Sequence, residues 1–138
     1  MFRKIDDSIS VAPQISVEDV AAAAAQGFRM VINNRPEQEE PGQTSGDEIR
    51  EAARAAGLAY VAIPITHGGF SLNQVEAMRD ALAKAGGPVL AFCRSGTRST
   101  FVWALARGLE GEDADTLAAK AAAAGYDISP IKPLIGPR

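Results

Sequence analysis

The run Val89-Leu90-Ala91-Phe92-Cys93-Arg94-Ser95-Gly96-Thr97-Arg98-Ser99 changes character twice within eleven residues. Its first four side chains are apolar without interruption, which predicts a strand buried on both faces. Gly86-Gly87-Pro88 turns the chain into that strand, and the seven residues after it hold a thiol, two guanidinium groups, three hydroxyls and a glycine. Phe101, Trp103 and Leu105 then open a helical pattern from about Ser99 to Leu109, with Trp103 expected in the core. Strand, polar loop and helix in that order are the unit of a parallel α/β sheet.

The same grammar extends in both directions. Ser71 with Gln74 forms a capping-box pair for a helix that runs to about Ala85, and Ser45 with Glu48 forms another for a helix that stops at Gly57. Ser16, with Asp19 three residues on, opens a helix closed by Gly27. Strands are expected at Phe28 to Ile32 and Leu58 to Ile63, and a last helix from about Asp115 to Ala124. Apolar strands alternating with helices of about ten to fourteen residues imply a mostly parallel central sheet flanked by helices on both faces. A Pro-rich tail from about residue 129 is expected on the surface.

Composition sets the outer bounds. A length of 138 residues falls within the usual size of one domain, about 100 to 200 residues, so a single domain over 1–138 is expected. Hydrophobic residues at 46% and charged residues at 22% exclude disorder over most of the chain. Fourteen basic against seventeen acidic residues, with no basic run longer than a pair, argue against a nucleic-acid partner. No apolar run approaches the ~18 residues of a membrane span, and the charged N-terminus does not look like a signal peptide, so a cytoplasmic location is expected. One cysteine and one histidine exclude an internal disulfide and a Cys/His zinc cluster, and no cofactor is expected.

Ligands of an open parallel sheet bind beyond the carboxyl ends of its strands, which is where Cys93 stands. A tight loop entering a helix turns successive N–H groups inward and, with the helix end, forms a nest for an anion; Gly96 permits the curl. The same field stabilises a thiolate. Cys93 is therefore the expected nucleophile and Arg98 its catalytic partner, with Arg94, Ser95, Gly96, Thr97 and Ser99 binding substrate. Arg35, at the end of the strand from Phe28, opens on the same sheet edge and would contact an anionic substrate or pair with Glu37 or Glu39. His67 would be a proton donor or a solvated loop residue. Glu37, Glu39 and Glu40 read as a solvated acidic loop from which one carboxylate could reach the site.

The Cys93 to Ser99 loop resembles both the cysteine loop of the protein tyrosine and dual-specificity phosphatases and that of the rhodanese sulfurtransferases. Ser10-Val11-Ala12-Pro13-Gln14, Gly27-Phe28 with Val31-Ile32-Asn33-Asn34-Arg35-Pro36, the acidic 37–42 segment and Gly57-Leu58-Ala59-Tyr60-Val61-Ala62-Ile63-Pro64 are more specific. Together they resemble the phosphatase-like domain of the bacterial beta-lactamase-hydrolase-like proteins (DUF442). That resemblance implies a dual-specificity-phosphatase-like fold. It also implies relatives that stand alone or are joined to a metallo-hydrolase or sulfur dioxygenase domain, hence a partner enzyme of sulfur oxidation.

Two departures bear on the reaction. The phosphatases place five residues between cysteine and arginine, whereas four separate Cys93 from Arg98. The loop Pro64-Ile65-Thr66-His67-Gly68-Gly69-Phe70 carries no carboxylate where the dual-specificity phosphatases have their acid. A positioned acid contributes around a hundred- to ten-thousandfold to ester cleavage, and sulfane transfer needs none. The expectation is therefore sulfur transfer through a Cys93 persulfide, from a thiosulfate-like anion to a small thiol. The alternative is hydrolysis of a phosphate monoester through a phosphocysteine, and a third reading is a silent anion-binding or partner-docking module.

Overall fold

The inner parallel strands bury alternate side chains on opposite faces, and two sets of helices cover them. In the computed structural model, which describes residues 2–135, the strands are β1 (Arg3–Asp6), β2 (Ile9–Ala12), β3 (Met30–Asn33), β4 (Ala59–Ala62) and β5 (Val89–Phe92). The sheet order is β1-β2-β5-β3-β4, antiparallel only between β1 and β2. Met30, Ile32, Val89 and Ala91 point into one core, and Val31, Leu90 and Phe92 into the other. The first core is covered by α3 (Leu72–Lys84), α4 (Thr97–Leu109) and α5 (Ala114–Ala123), the second by α1 (Val17–Ala25) and α2 (Gly46–Ala55). The architecture is the α/β, mostly parallel one that the apolar strands imply.

Local chemistry sets the helix ends. Ser16 with Asp19 and Ser71 with Gln74 make complete capping boxes. The box expected at Ser45 is only half made: Ser45 Oγ accepts from Glu48 N–H, and the α2 start is finished instead by Glu37, whose carboxylate accepts from Gly46 N–H at 2.9 Å. Trp103 is fully buried in the first core.

The tail corrects a second expectation. Ile128, Ile131 and Ile135 are buried in the first core, and Ile135 lies so close to Gly108 that a β-carbon there would meet it at 2.9 Å. Isoleucines spaced by three and four place one apolar face inward through the 3₁₀ turn Lys132–Leu134, although prolines break any helical run. Residues 136–138 lie outside the described part. No helix among the described residues is long and apolar enough to cross a membrane.

Candidate active site

The carboxyl ends of β2, β3 and β5 are laced together by main-chain hydrogen bonds. Asn34 N–H donates to Phe92 O at 2.8 Å, Cys93 N–H to Ala12 O at 3.4 Å and Gln14 N–H to Arg94 O at 3.3 Å. Cys93 therefore leaves β5 from a fixed platform, and the loop curls back at once. Gly96 takes φ +92° as the residue before α4, and its N–H points at Cys93 Sγ, 3.1 Å away. A β-carbon at Gly96 would strike the Tyr126 hydroxyl, which itself donates to Ser95 O at 3.0 Å. Tyr126 thus braces the outside of the loop while the loop encloses the sulfur. Cys93 is fully buried, and Thr100 Oγ1 donates to Gly96 O at 2.8 Å to lock the first turn of α4.

Arg98 leans from α4 toward the β4–α3 loop. It donates to Ile65 O at 2.7 Å and to both carboxylate oxygens of Glu39, at 2.7 and 2.9 Å. The bond to Glu39 and, less strongly, the neighbouring Cys93 sulfur raise its pKa above the ordinary value against the effect of burial. Glu39 also accepts from Arg35 Nε at 2.8 Å. Held by two guanidinium groups, Arg98 foremost, its carboxyl is lowered to a pKa of about 2. It is ionised at neutral pH and has no proton to give.

Arg35 is sequestered behind this pair. Its side chain is 1% exposed and its donors go to Glu39, to Gln14 Oε1 at 3.0 Å and to Glu40 at 2.9 Å. The pairing with Glu39 is made; with Glu37 it is not, because Glu37 is engaged at Gly46. Gln38 between them takes φ +58°, the left-handed region that non-glycine residues seldom enter, as the chain turns between these two carboxylates.

A cleft of about 400 Å³ lies over the loop. It is lined by Arg94, Ser95, Thr97 and Arg98, by Thr66, His67 and Gly69 of the β4–α3 loop, and by Phe70 and Phe101. Arg94 is largely exposed and stands 3.6 Å from Glu40. His67 is 79% exposed, with Nε2 at 3.8 Å from Glu39. Of the residues expected to bind substrate, Gly96 presents main chain inside the ring, and Ser99 is buried beneath it, donating to Asn34 Oδ1 at 2.7 Å. Gln14, Glu39, Phe70, Phe101 and Tyr126 complete the surroundings. The sequence suggested Glu39 as a partner of Arg35 and gave the other four no role at the site. No group of His, Cys, Asp and Glu that could hold a metal ion occurs among the described residues.

A family model described as beta-lactamase hydrolase-like protein, phosphatase-like domain, matches residues 1–110. A beta-lactamase hydrolase-like protein of Agrobacterium fabrum is 36% identical over 108 residues, covering 78% of this chain. The match covers only 25% of that relative, so the chain spans about a quarter of its length. Among solved structures, a candidate phosphatase from Neisseria meningitidis is similar with a TM-score of 0.83 at 31% identity, covering 96% of this chain and 94% of the other. The active form of Tk-PTP shares the fold with a TM-score of 0.73 at 20% identity, covering 97% and 92%.

Proposed function

Because the chain belongs to the family of the beta-lactamase hydrolase-like protein, phosphatase-like domain, we propose that it hydrolyses phosphate monoesters through a phosphocysteine on Cys93. The observation that carries this reading is the closed loop at the N-terminus of α4, with Gly96 N–H on the sulfur and Arg98 beside it. A loop at a helix N-terminus with an N–H turned inward, as that of Gly96 is, stabilises negative charge both on the thiolate and on phosphoryl oxygens in front of it. The Cys93 thiolate attacks phosphorus, the S–P bond forms as the P–O ester bond breaks, and the alcohol leaves with a proton. Water then attacks the same phosphorus and returns the thiolate, so that ester and water give alcohol and inorganic phosphate. His67, on the cleft wall, is the ionisable group available to protonate the leaving oxygen, since Glu39 is held ionised. Arg98, held on Glu39 and Ile65 O at the cleft wall, supplies positive charge beside the oxyanion, and Arg94, Ser95 and Thr97 present donors at the mouth.

The second reading, sulfur transfer from a thiosulfate-like anion to a thiol, is favoured by the four-residue spacing of Cys93 and Arg98 and by the absence of a carboxylate from the Pro64 to Phe70 loop. One experiment separates the two. Wild type and Cys93→Ser are incubated with p-nitrophenyl phosphate or with thiosulfate, and released phosphate and intact-protein mass are measured. Hydrolysis by wild type alone, with activity at least a thousandfold lower in Cys93→Ser, is the expected outcome. A gain of one sulfur on wild type from thiosulfate, discharged by added thiol and without phosphate release, would replace the phosphatase reading by the transferase one.

A further inference from the structure

The far side of the cleft opens into apolar surface. Phe70 lines both the cleft over the cysteine loop and a second groove of about 170 Å³. That groove is walled by Leu72 and Val75 of α3, Leu105 and Leu109 of α4, and Leu134 of the 3₁₀ turn. Four large hydrophobic side chains are exposed among the described residues, and three of them stand here: Leu72 at 61%, Leu109 at 44% and Leu134 at 66%. Exposed apolar residues scattered singly need no explanation, but three converging on one groove do. Along α4 the spacing is three, four and four from Arg98 through Phe101 and Leu105 to Leu109, one helical stripe that begins at the anion loop. From Phe101 to Leu109 it extends about 12 Å.

We propose that this groove is a substrate subsite, and that the alcohol of the natural phosphate ester carries an extended aliphatic chain that lies along it. The inference rests on the phosphatase reading for the orientation of the ester. With the phosphoryl group on the loop, the ester oxygen faces the cleft, and the cleft wall of Phe70 and Phe101 leads into the groove. The lining holds no charged side chain and only the Ser71 hydroxyl as a polar one, so it offers nothing to a sugar or a charged peptide. It offers burial to methylenes, each of which is about fourfold in affinity when fully removed from water.

The test uses Cys93→Ser, which retains the loop without turnover, and n-alkylphosphonates from methyl to decyl below their micellar concentrations, with Kd measured by calorimetry. The expected result is a Kd that falls two- to fourfold per methylene and then levels off. Leu72→Ser and Leu109→Ser together should flatten that gradient while leaving methylphosphonate binding unchanged. A Kd that is flat from methyl to decyl overturns the proposal, as does a gradient that survives the double substitution. A concentration-dependent dimer in sedimentation, abolished by Leu109→Ser and accompanied by flat phosphonate affinities, would assign the groove to a second copy of the chain instead. If wild type fails to hydrolyse p-nitrophenyl phosphate while the gradient persists, the hydrolytic reading falls and the apolar subsite stands.

Discussion

Glu39 occupies the position where an anion-binding site would be expected to hold no anion at all. Its carboxylate satisfies Arg98 and Arg35 together, so that Arg98 is fixed rather than free to swing out of the cleft. The folded-state pKa of about 2 lies below the ordinary 4.5, so the stabilisation is complete above about pH 4.5 and is lost as pH falls toward 2. Glu39→Gln should therefore be less stable at pH 7 by roughly 3 kcal/mol, since Arg98 loses its carboxylate partner and Arg35 one of its two. It should also show a shallower loss of stability between pH 4.5 and 2. Urea midpoints across that range check it; curves that run parallel to those of wild type would mean that Glu39 is not the group being titrated. Nothing local in the sequence distinguishes Glu39 from Glu37 and Glu40. One caps α2, one bridges two arginines and one meets Arg35 and Arg94, and the choice depends on a left-handed turn at Gln38 that a polar residue does not announce. The loop that carries Cys93 and Arg98, by contrast, is legible, because the apolar strand before the thiol and the hydroxyl-rich helix start after it are local signals.

At the scale of elements, the cysteine loop is held between α4, which continues it, and the segment after α5, which braces it. Tyr126 follows α5 and lies beyond the residues matched by the family model. Its hydroxyl bond to Ser95 O is the outer support of the ring that bends Gly96 N–H toward the sulfur. Tyr126→Phe keeps the ring packing and removes that single bond, a loss of about 1 kcal/mol. We expect kcat to fall about threefold to tenfold, with the melting temperature changed by only a few degrees. An unchanged kcat would reduce Tyr126 to a packing residue. The helices were readable because serine caps and apolar periodicity are local signals. β1 and β2 were not: Arg3-Lys4-Ile5-Asp6 is mostly charged, and Ser10 interrupts β2, yet β2 pairs on both sides and buries Ser10 all the same. Register with β5 decides those strands, and register is a property of the sheet.

For the molecule as a whole, the site is a meeting of segments far apart in the chain. Arg98 reaches Ile65 across 33 residues and Glu39 across 59, Ser99 reaches Asn34 across 65, and Tyr126 reaches Ser95 across 31. Such distances are invisible to local pattern, which is why the loop could be found in the sequence and its surroundings could not. They also have a kinetic meaning. Each contact closes a long stretch of chain and forms only once β5 has slotted between β2 and β3, both of which precede it in sequence. After dilution from denaturant, helix signal should therefore return ahead of turnover, and turnover should return in one step with the burial of Trp103. No fragment ending before α5 should recover part of the activity, because the cysteine loop follows the last strand in the chain and is braced by a tyrosine still further along it.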